Sequence, residues 1–241
     1  MNDIGQAAVL MTPAALLLML AENHIRKRQG MTPYDGRQTL NNLGVFVGWR
    51  AFVAGLGLAP LWGYVWMLEN LAPYRFDASL WWVWLVGFVA YDFAFWLRHW
   101  AGHRIGFLWA MHAVHHQSRE LNISTATRLS WFSDTILLGI PLALAGVPLE
   151  VTGLWFVVGN LWQLAQHTEI VGRLGLLDRL IVTPSVHRVH HGCNPQYLDT
   201  NYGSMLVVWD QLFGTYALEE EPVRYGTLSG LVTYDATENN L

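Results

Sequence analysis

Hydrophobic residues in this chain form long, nearly uncharged runs separated by short polar segments. The first run, residues 4–21, carries no charge and is about long enough to cross a bilayer. The second, roughly 41–68, includes Arg50, and the third, 80–98, carries Asp92 and is rich in tryptophan, as membrane-interface belts are. This pattern predicts three membrane helices.

A fourth apolar region, residues 134–166, is interrupted by the sequence GVPLE at 146–150. Each of its two arms is short for a complete crossing of the membrane. We therefore expect a helical hairpin that enters and leaves the membrane by the same face.

The distribution of basic residues predicts the orientation of these helices. Segment 22–38, between the first two runs, contains four basic residues, whereas segment 69–79 has only Arg75 beside two acidic residues. Because loops rich in lysine and arginine stay on the cytoplasmic side, segment 22–38 is predicted to be cytoplasmic. Residue 99, at the end of the third run, then lies on the same side.

Composition supports a membrane protein. Of the 241 residues, 53% are hydrophobic and 13% are charged, where a soluble domain has about 25% charged residues. The net charge of −4 argues against nucleic acid as a partner. The single cysteine, Cys193, excludes an intrachain disulfide and a CxxC metal site, and is expected to be a small packing residue.

Histidines are clustered at or beyond the ends of the apolar runs. HAVHH at 112–116 and HRVHH at 187–191 repeat one arrangement, and HWAGH at 99–103 sets two further histidines four residues apart. Because residues three and four apart share a helix face, each HxxHH triple is expected to project together. With His167 these make nine imidazoles, enough for two transition metals: His99, His103, His112, His115, His116, His167, His187, His190 and His191.

Two other kinds of metal protein stay open at this point. A histidine-rich membrane protein for metal transport or storage would also carry many imidazoles, although transporters usually place ligands near the bilayer midplane on broken helices. A membrane cytochrome would need histidine pairs inside the helix bundle, and the apolar runs contain none. Imidazole itself suits zinc, copper, iron and nickel alike.

From about residue 92 to residue 227, the chain resembles the fatty acid hydroxylase/sterol desaturase superfamily of membrane di-iron oxygenases. The resemblance is carried by DFAFWLRHWAGHRIGFLWAMHAVHHQS and HRVHHGCNPQYLDTNYGSMLVVWDQLFGTY, which match the histidine boxes and the closing WDxxFGT of the family. LNISTATR at 121–128 and HRVHHG look most like the alkylglycerol monooxygenase-type branch.

The resemblance implies an all-α, polytopic membrane fold with about four transmembrane helices or helical hairpins. We expect a single domain over 1–241, with a helical cap on the cytoplasmic face that holds the metals. Its expected parts are mainly transmembrane helices over 1–98, the first two histidine boxes over 99–132, the hairpin over 133–168, and the third box and cap over 169–241.

The resemblance also implies two iron ions, which zinc can replace, held by the nine histidines. The expected reaction uses O₂ and external electrons to hydroxylate or desaturate a C–H bond of a fatty acyl chain, a sterol or an ether lipid. The sequence contains no cytochrome b5-like domain. The electron donor is therefore expected to be separate: a cytochrome b5-like protein, a ferredoxin with its reductase, or a reduced pterin.

Polar residues near the boxes are candidates for orienting the imidazoles. Asp92 lies two helical turns before His99, and Asp199, Asn201 and Asp210 follow the third box. The alternative for Asp92 is a salt bridge with Arg50 inside the membrane. The acidic stretch that begins at Glu219 is expected to be a solvated end.

Gln163 is the point where the sequence departs from the family. Many relatives have a histidine four residues before the equivalent of His167, where this chain has Gln163. The amide is expected to be a weak oxygen ligand or to hold a water, which leaves one iron more open. The alternative is that Gln163 packs between helices or orients a neighbouring imidazole.

Overall fold

The computed structural model describes residues 3–132 and 137–228, with side chains from residue 13 onward. This part of the chain contains helices and no named strands, which confirms the all-α prediction for it. The helices are α1 Asp3–Arg28, α2 Gly36–Leu56, α3 Ala59–Asn70, α4 Trp81–Arg104, α5 Gly106–His116, α6 Ile123–Ala126, α7 Gly139–Leu144, α8 Leu149–Gln166, α9 Pro184–His190 and α10 Val208–Phe213, with 3₁₀ turns at Gly175–Arg179 and Pro195–Tyr197.

Helices α1 to α4 cover the three predicted apolar runs. The second run is divided between α2 and α3, which are bent by 55°. The break falls at Gly57, whose φ of +58° is in a region that side chains rarely adopt. In the described residues no single helix is both long and apolar enough to cross a bilayer; only α2 and α3 taken together reach that length and hydropathy.

Helices α7 and α8 form the two arms of the predicted hairpin, although residues 134–136 lie outside the described residues. The turn between them packs closely against the loop after α3. Gly146 has a φ of +81°, and a Cβ there would lie 1.9 Å from the carbonyl oxygen of Tyr74. The N–H of Phe76 donates to the Gly146 carbonyl at 3.0 Å, which fastens the two loops together.

The apolar core lies between α3, α4, α7 and α8 and includes Tyr64, Tyr91, Leu142 and Val151. Helices α4 and α8 approach closely because Gly159 leaves room for Tyr91; a Cβ on this glycine would lie 2.3 Å from the Tyr91 hydroxyl oxygen. This packing brings His99 near the end of α4 and His167 at the end of α8 to one side of the core.

The third histidine box forms the short helix α9. The side chain of Thr183 caps its first turn by accepting from the N–H of Val186, and Pro184 occupies the first helical position, where no N–H donor is needed. Thr183 in turn donates to the buried carboxylate of Asp178 at 2.5 Å. The start of α9 is therefore defined by two local hydrogen bonds and a proline at the first helical position.

Candidate metal centre

The nine histidines of the boxes converge into two groups. Each residue offers one ring nitrogen, and the nitrogens within a group all lie within 4.8 Å of one another. The five-histidine group contains His99, His103, His112, His116 and His190, and the four-histidine group contains His115, His167, His187 and His191. Helices α4, α5, α8 and α9 bring these residues together.

Each HxxHH triple is divided between the two groups, which differs from the expectation that it projects together. His112 and His116 of α5 enter the five-histidine group, whereas His115 enters the other. In α9 the division is reversed, since His190 joins the five-histidine group. Neighbouring positions on an α-helix are about 100° apart, so adjacent histidines face different directions. The facing helices α5 and α9 therefore each contribute histidines to both groups.

The nitrogen atoms have the spacing of donors to a shared ion. Nε2–Nε2 distances are 3.0 to 3.2 Å for the pairs His99–His112, His112–His116, His116–His190, His115–His167, His167–His187 and His187–His191. Two nitrogens bound to one ion at about 2.0–2.1 Å lie roughly 2.8–3.4 Å apart, with right angles at the lower end and tetrahedral angles at the upper end. In addition, Nε2 of His103 is buried with no hydrogen-bond partner in the described residues. The donor sets fit transition-metal ions.

Main-chain carbonyls form hydrogen bonds with Nδ1 of four of the histidines, whose Nε2 atoms face the groups. A ring that donates its Nδ1–H to a carbonyl keeps the Nε2 lone pair for a metal. The four contacts, at 2.7 to 3.2 Å, are His99 to Tyr202, His115 to Arg128, His167 to Gln163 and His190 to Thr200.

Burial keeps the histidines of α5 and α9 neutral at physiological pH. Desolvation lowers the pKa of His190 to about 4, and it also lowers the pKa of His115 and His187, where neighbouring imidazoles add to the effect. A neutral imidazole is the form that binds a metal. Burial of the two groups therefore keeps these imidazoles in the neutral form that can bind a metal.

Asp92 contacts the segment that follows the third histidine box, residues 192–210 (the third-box segment), and not an imidazole. Its carboxylate accepts from the main-chain N–H of Met205 at 2.8 Å and from the indole N–H of Trp209 at 3.0 Å. The alternative partner, Arg50, lies over the ring of Trp49. Because the main-chain donors of this segment lie within reach of α4, Asp92 forms its hydrogen bonds with them and with Trp209.

The side chains of Asp210 and Asn201 also form hydrogen bonds with main-chain groups. Asp210 accepts from the N–H groups of Tyr202 and Gly203 at 2.8 Å. The amide of Asn201 donates to the carbonyls of Val186 and Ala217. These contacts differ from the expected direct contacts with imidazoles. The third-box segment folds back over α9, which brings main-chain groups of this segment, of α9 and of the chain after α10 within reach of the two side chains.

The carboxylate of Asp199 lies close to a histidine of the five-histidine group. One carboxylate oxygen is 3.9 Å from Nδ1 of His103 and the other is 3.2 Å from Arg104. Its φ of +59° is uncommon for a residue with a side chain. The carboxylate therefore lies at the edge of the five-histidine group, already paired with a cation.

Gln163 contacts His167 through its main chain. Its carbonyl oxygen accepts from Nδ1 of His167 at 2.7 Å, and its side chain is half-buried. One turn later, the amide of Gln166 is buried and donates to the carbonyls of Val182 and Ser204. Gln166 thus ties α8 to the third-box segment, a role that the sequence did not indicate.

Glu219 is part of the site's support, which corrects the expectation of a solvated end. Its carboxylate pairs with Arg188 of the third box at 2.7 Å and accepts from the hydroxyl of Ser185. Arg188 also donates to the carbonyls of Thr168 and Val171. The chain after α10 returns to α9, so a residue distant in sequence neutralises a buried arginine.

Arg128 is a second buried arginine that sequence reasoning did not single out. It is 1% exposed, its guanidinium donates to the carbonyl of Val114, and its own carbonyl accepts from His115. The only available signal was its position in the LNISTATR match. The residue fastens the last turn of α5, which carries two ligand candidates.

A cavity of about 460 Å³ adjoins both histidine groups. It touches His103, His116 and His190 of one group and His191 of the other. The remaining wall is formed by Trp109, Ala110, Ala113, Gln117, Gly192, Cys193, Leu198, Asp199, Gly226, Thr227 and Leu228. Cys193 is therefore a half-buried wall residue of this cavity. The volume is within the usual range for ligand pockets.

Comparison with known proteins gives one family. Residues 84–215 match the family model for fatty acid hydroxylases, which is more than half of the chain. The match begins in α4 and ends just after α10, so it contains all nine histidines of the two groups. No solved structure matches the chain.

Curated relatives are lipid-oxidising enzymes by name. The chain is 35% identical to alkylglycerol monooxygenase of Homo sapiens over 73% of its length, and 38% identical to that of Danio rerio over 71%. It is 39% identical to ornithine lipid hydroxylase OlsE of Rhizobium tropici over 55% of its length and 41% of the relative. The chain spans about two fifths of the length of these two alkylglycerol monooxygenases, 40% and 38%.

Proposed function

The chain belongs to the fatty acid hydroxylase family, and from this premise we propose that it is an O₂-dependent lipid hydroxylase. The observation that carries the proposal is the convergence of nine histidines, seven of them buried and two half-buried, into two groups beside one cavity. A protein for metal storage or transport would not need a ligand-sized cavity that reaches both groups. The names of the relatives support a lipid as the substrate.

In this proposal each histidine group holds one iron ion through the nitrogens that face its centre. Bound iron supplies the redox chemistry that activates O₂ at a C–H bond, which protein side chains alone do not provide. The balanced reaction converts R–H, O₂, two electrons and two protons into R–OH and water. The two electrons come from a separate one-electron or two-electron carrier.

The chain's own residues orient the ligands and shield the site. The carbonyls of Tyr202 and Thr200 hold His99 and His190 with Nε2 turned to the centre of the five-histidine group. The cavity wall of Trp109, Ala110 and Ala113 provides an apolar surface for the hydrocarbon part of a lipid. Asp199 and Arg104 form a polar pair at the same wall, beside His103.

We further propose that the protein is integrated in a membrane, with the metal groups on its cytoplasmic face. The basic segment 22–38 supports this orientation, because such segments remain in the cytoplasm. Exposed apolar side chains along α4, such as Leu85, Val86 and Val89, support contact with lipid. The lipid substrate then approaches the cavity from the bilayer.

The test is oxidation of a lipid by the purified protein. The full chain is prepared with ferrous iron in detergent, supplied with a chemical or protein reductant, and incubated with the extracted lipids of its host under ¹⁸O₂. We expect about two irons per chain and a lipid product that is heavier by one labelled oxygen atom. Tight iron binding with no labelled lipid under any reductant would argue for storage or transport.

A further inference from the structure

Arg128 is a buried cation whose hydrogen-bond acceptors in the described part of the chain are all neutral. Its guanidinium donates to the main-chain carbonyl of Val114 and to the side-chain oxygens of Asn41, Asn42 and Gln117. A buried charge is costly unless hydrogen bonds satisfy it. Each of these amides must therefore turn its oxygen toward the guanidinium, which fixes the orientation of its nitrogen as well.

Gln117 shows the consequence most directly. Its Oε1 accepts from Arg128 at 2.8 Å, so the opposite orientation would bring two N–H donors together. In the described part of the chain its amide nitrogen makes no hydrogen bond, and the residue lines the cavity beside His116. A charged donor on the oxygen also polarises the amide and strengthens its remaining N–H groups.

The rest of the cavity limits what this donor can bind. Asp199 is the only Asp, Glu, Lys or Arg side chain in the described wall, and its carboxylate is already paired with Arg104 at 3.2 Å. An anionic headgroup in the cavity would be repelled by this carboxylate, and the described residues of the wall include no lysine or arginine to pair with it. The apolar surface of Trp109, Ala113 and Leu198 suits a hydrocarbon chain.

We propose that Gln117 donates a hydrogen bond to an uncharged oxygen of the lipid substrate, such as an ether, ester carbonyl or hydroxyl oxygen. This inference rests on the proposed function and identifies the part of the lipid that the cavity recognises. Because Gln117 and His116 line the same cavity, an oxygen held by the Gln117 amide brings the adjoining carbon atoms toward the five-histidine group. Lipids with such an oxygen are then selected over plain hydrocarbons.

The experiment compares two probes of equal length, 1-methoxydecane and dodecane, of which only the first has an oxygen. Binding of both is measured with the iron-loaded full chain in detergent, together with iron content and oxidation of each probe. The variants are Gln117→Glu and Gln117→Leu. In Gln117→Glu the carboxylate still accepts from Arg128, so the buried cation stays satisfied while the N–H donor is lost. Gln29→Glu, at an exposed position of the same residue type, is the matched control.

The wild-type protein and the control are expected to bind 1-methoxydecane roughly fivefold more tightly than dodecane, the effect of one neutral hydrogen bond. Both Gln117 variants are expected to bind the two probes equally while they retain iron. A preference for the ether that persists in Gln117→Glu, or its absence from the wild type, would overturn the inference. A preference that is lost in the variants while no preparation oxidises either probe supports the binding role and counts against the proposed function.

Discussion

The carboxylate of Asp210 accepts a hydrogen bond from the main-chain N–H of Tyr202 at 2.8 Å, and the carbonyl of Tyr202 in turn accepts from Nδ1 of His99 at 2.9 Å. One peptide segment therefore connects a buried carboxylate with a ligand candidate. Asp210 also accepts from the indole N–H of Trp96, one turn before His99 on α4. The carboxylate thus holds both the helix and the carbonyl that orient this imidazole.

Asp210→Asn is expected to loosen His99 and lower metal affinity or activity by roughly 10- to 100-fold, as removal of an orienting partner typically does. The amide replaces one acceptor oxygen with an NH₂ group that faces main-chain N–H donors. Metal content and turnover are measured beside Asp77→Asn, a change at an exposed carboxylate in the loop before α4. Unchanged values for both properties in Asp210→Asn would contradict the prediction.

The division of each HxxHH triple predicts which metal each substitution removes. His190→Ala should lower occupancy of the five-histidine group, and His115→Ala that of the four-histidine group, so each variant should retain about one metal of two. Metal analysis per chain and the spectrum of the remaining ion distinguish the two variants. His24→Ala, at an exposed position in α1, should retain both metals. Identical spectra for the two box variants would show that the groups are not independent.

Gln163→His and Gln163→Leu test the amide side chain, because both variants keep the main-chain carbonyl that orients His167. If the amide is a weak ligand, histidine should tighten metal retention, since imidazole is the better donor, and should slow turnover by closing an open position. Leucine should weaken retention. Metal release to a chelator is compared for the three proteins. Equal losses in both variants would indicate a packing role.

Glu219→Ala removes the carboxylate that neutralises Arg188 and leaves a nearly buried cation with carbonyl partners only. We expect a loss of about 1–3 kcal/mol in the free energy of unfolding, because a buried donor loses its partner. Thermal unfolding in detergent is compared with that of Glu221→Ala, which removes an exposed carboxylate of the same segment. An equal unfolding temperature for the two variants would contradict the role given to Glu219.

The proposed orientation predicts that the chain after α10 faces the cytoplasm. Arg224→Cys in a Cys193→Ser background introduces a single exposed thiol. In intact cells this thiol should resist a membrane-impermeant maleimide and react only after the membrane is opened. Ready labelling in intact cells would reverse the orientation.

Much of the architecture was accessible from the sequence because it depends on local patterns. Nearly uncharged apolar runs predicted α1, α2–α3, α4 and the hairpin of α7 and α8, with the break near Gly146. The histidine spacing and the family motifs identified all nine residues of the two groups. These properties depend on the residue types and their spacing along the chain.

Other features depend on which segments meet in space. The second-box histidines separate into two groups because α9 faces α5, and periodicity along α5 does not by itself reveal the facing helix. Asp92 and Asp210 bind backbone because the third-box segment passes beside α4, and Glu219 reaches Arg188 because the chain returns to α9. Spacing along one helix determines which histidines can share a face, but only tertiary packing decides which partners a buried charge or imidazole finds. Those partners come from segments far apart in the chain: Trp96 and Asp210 are 114 residues apart, and Asp92 and Trp209 are 117 residues apart.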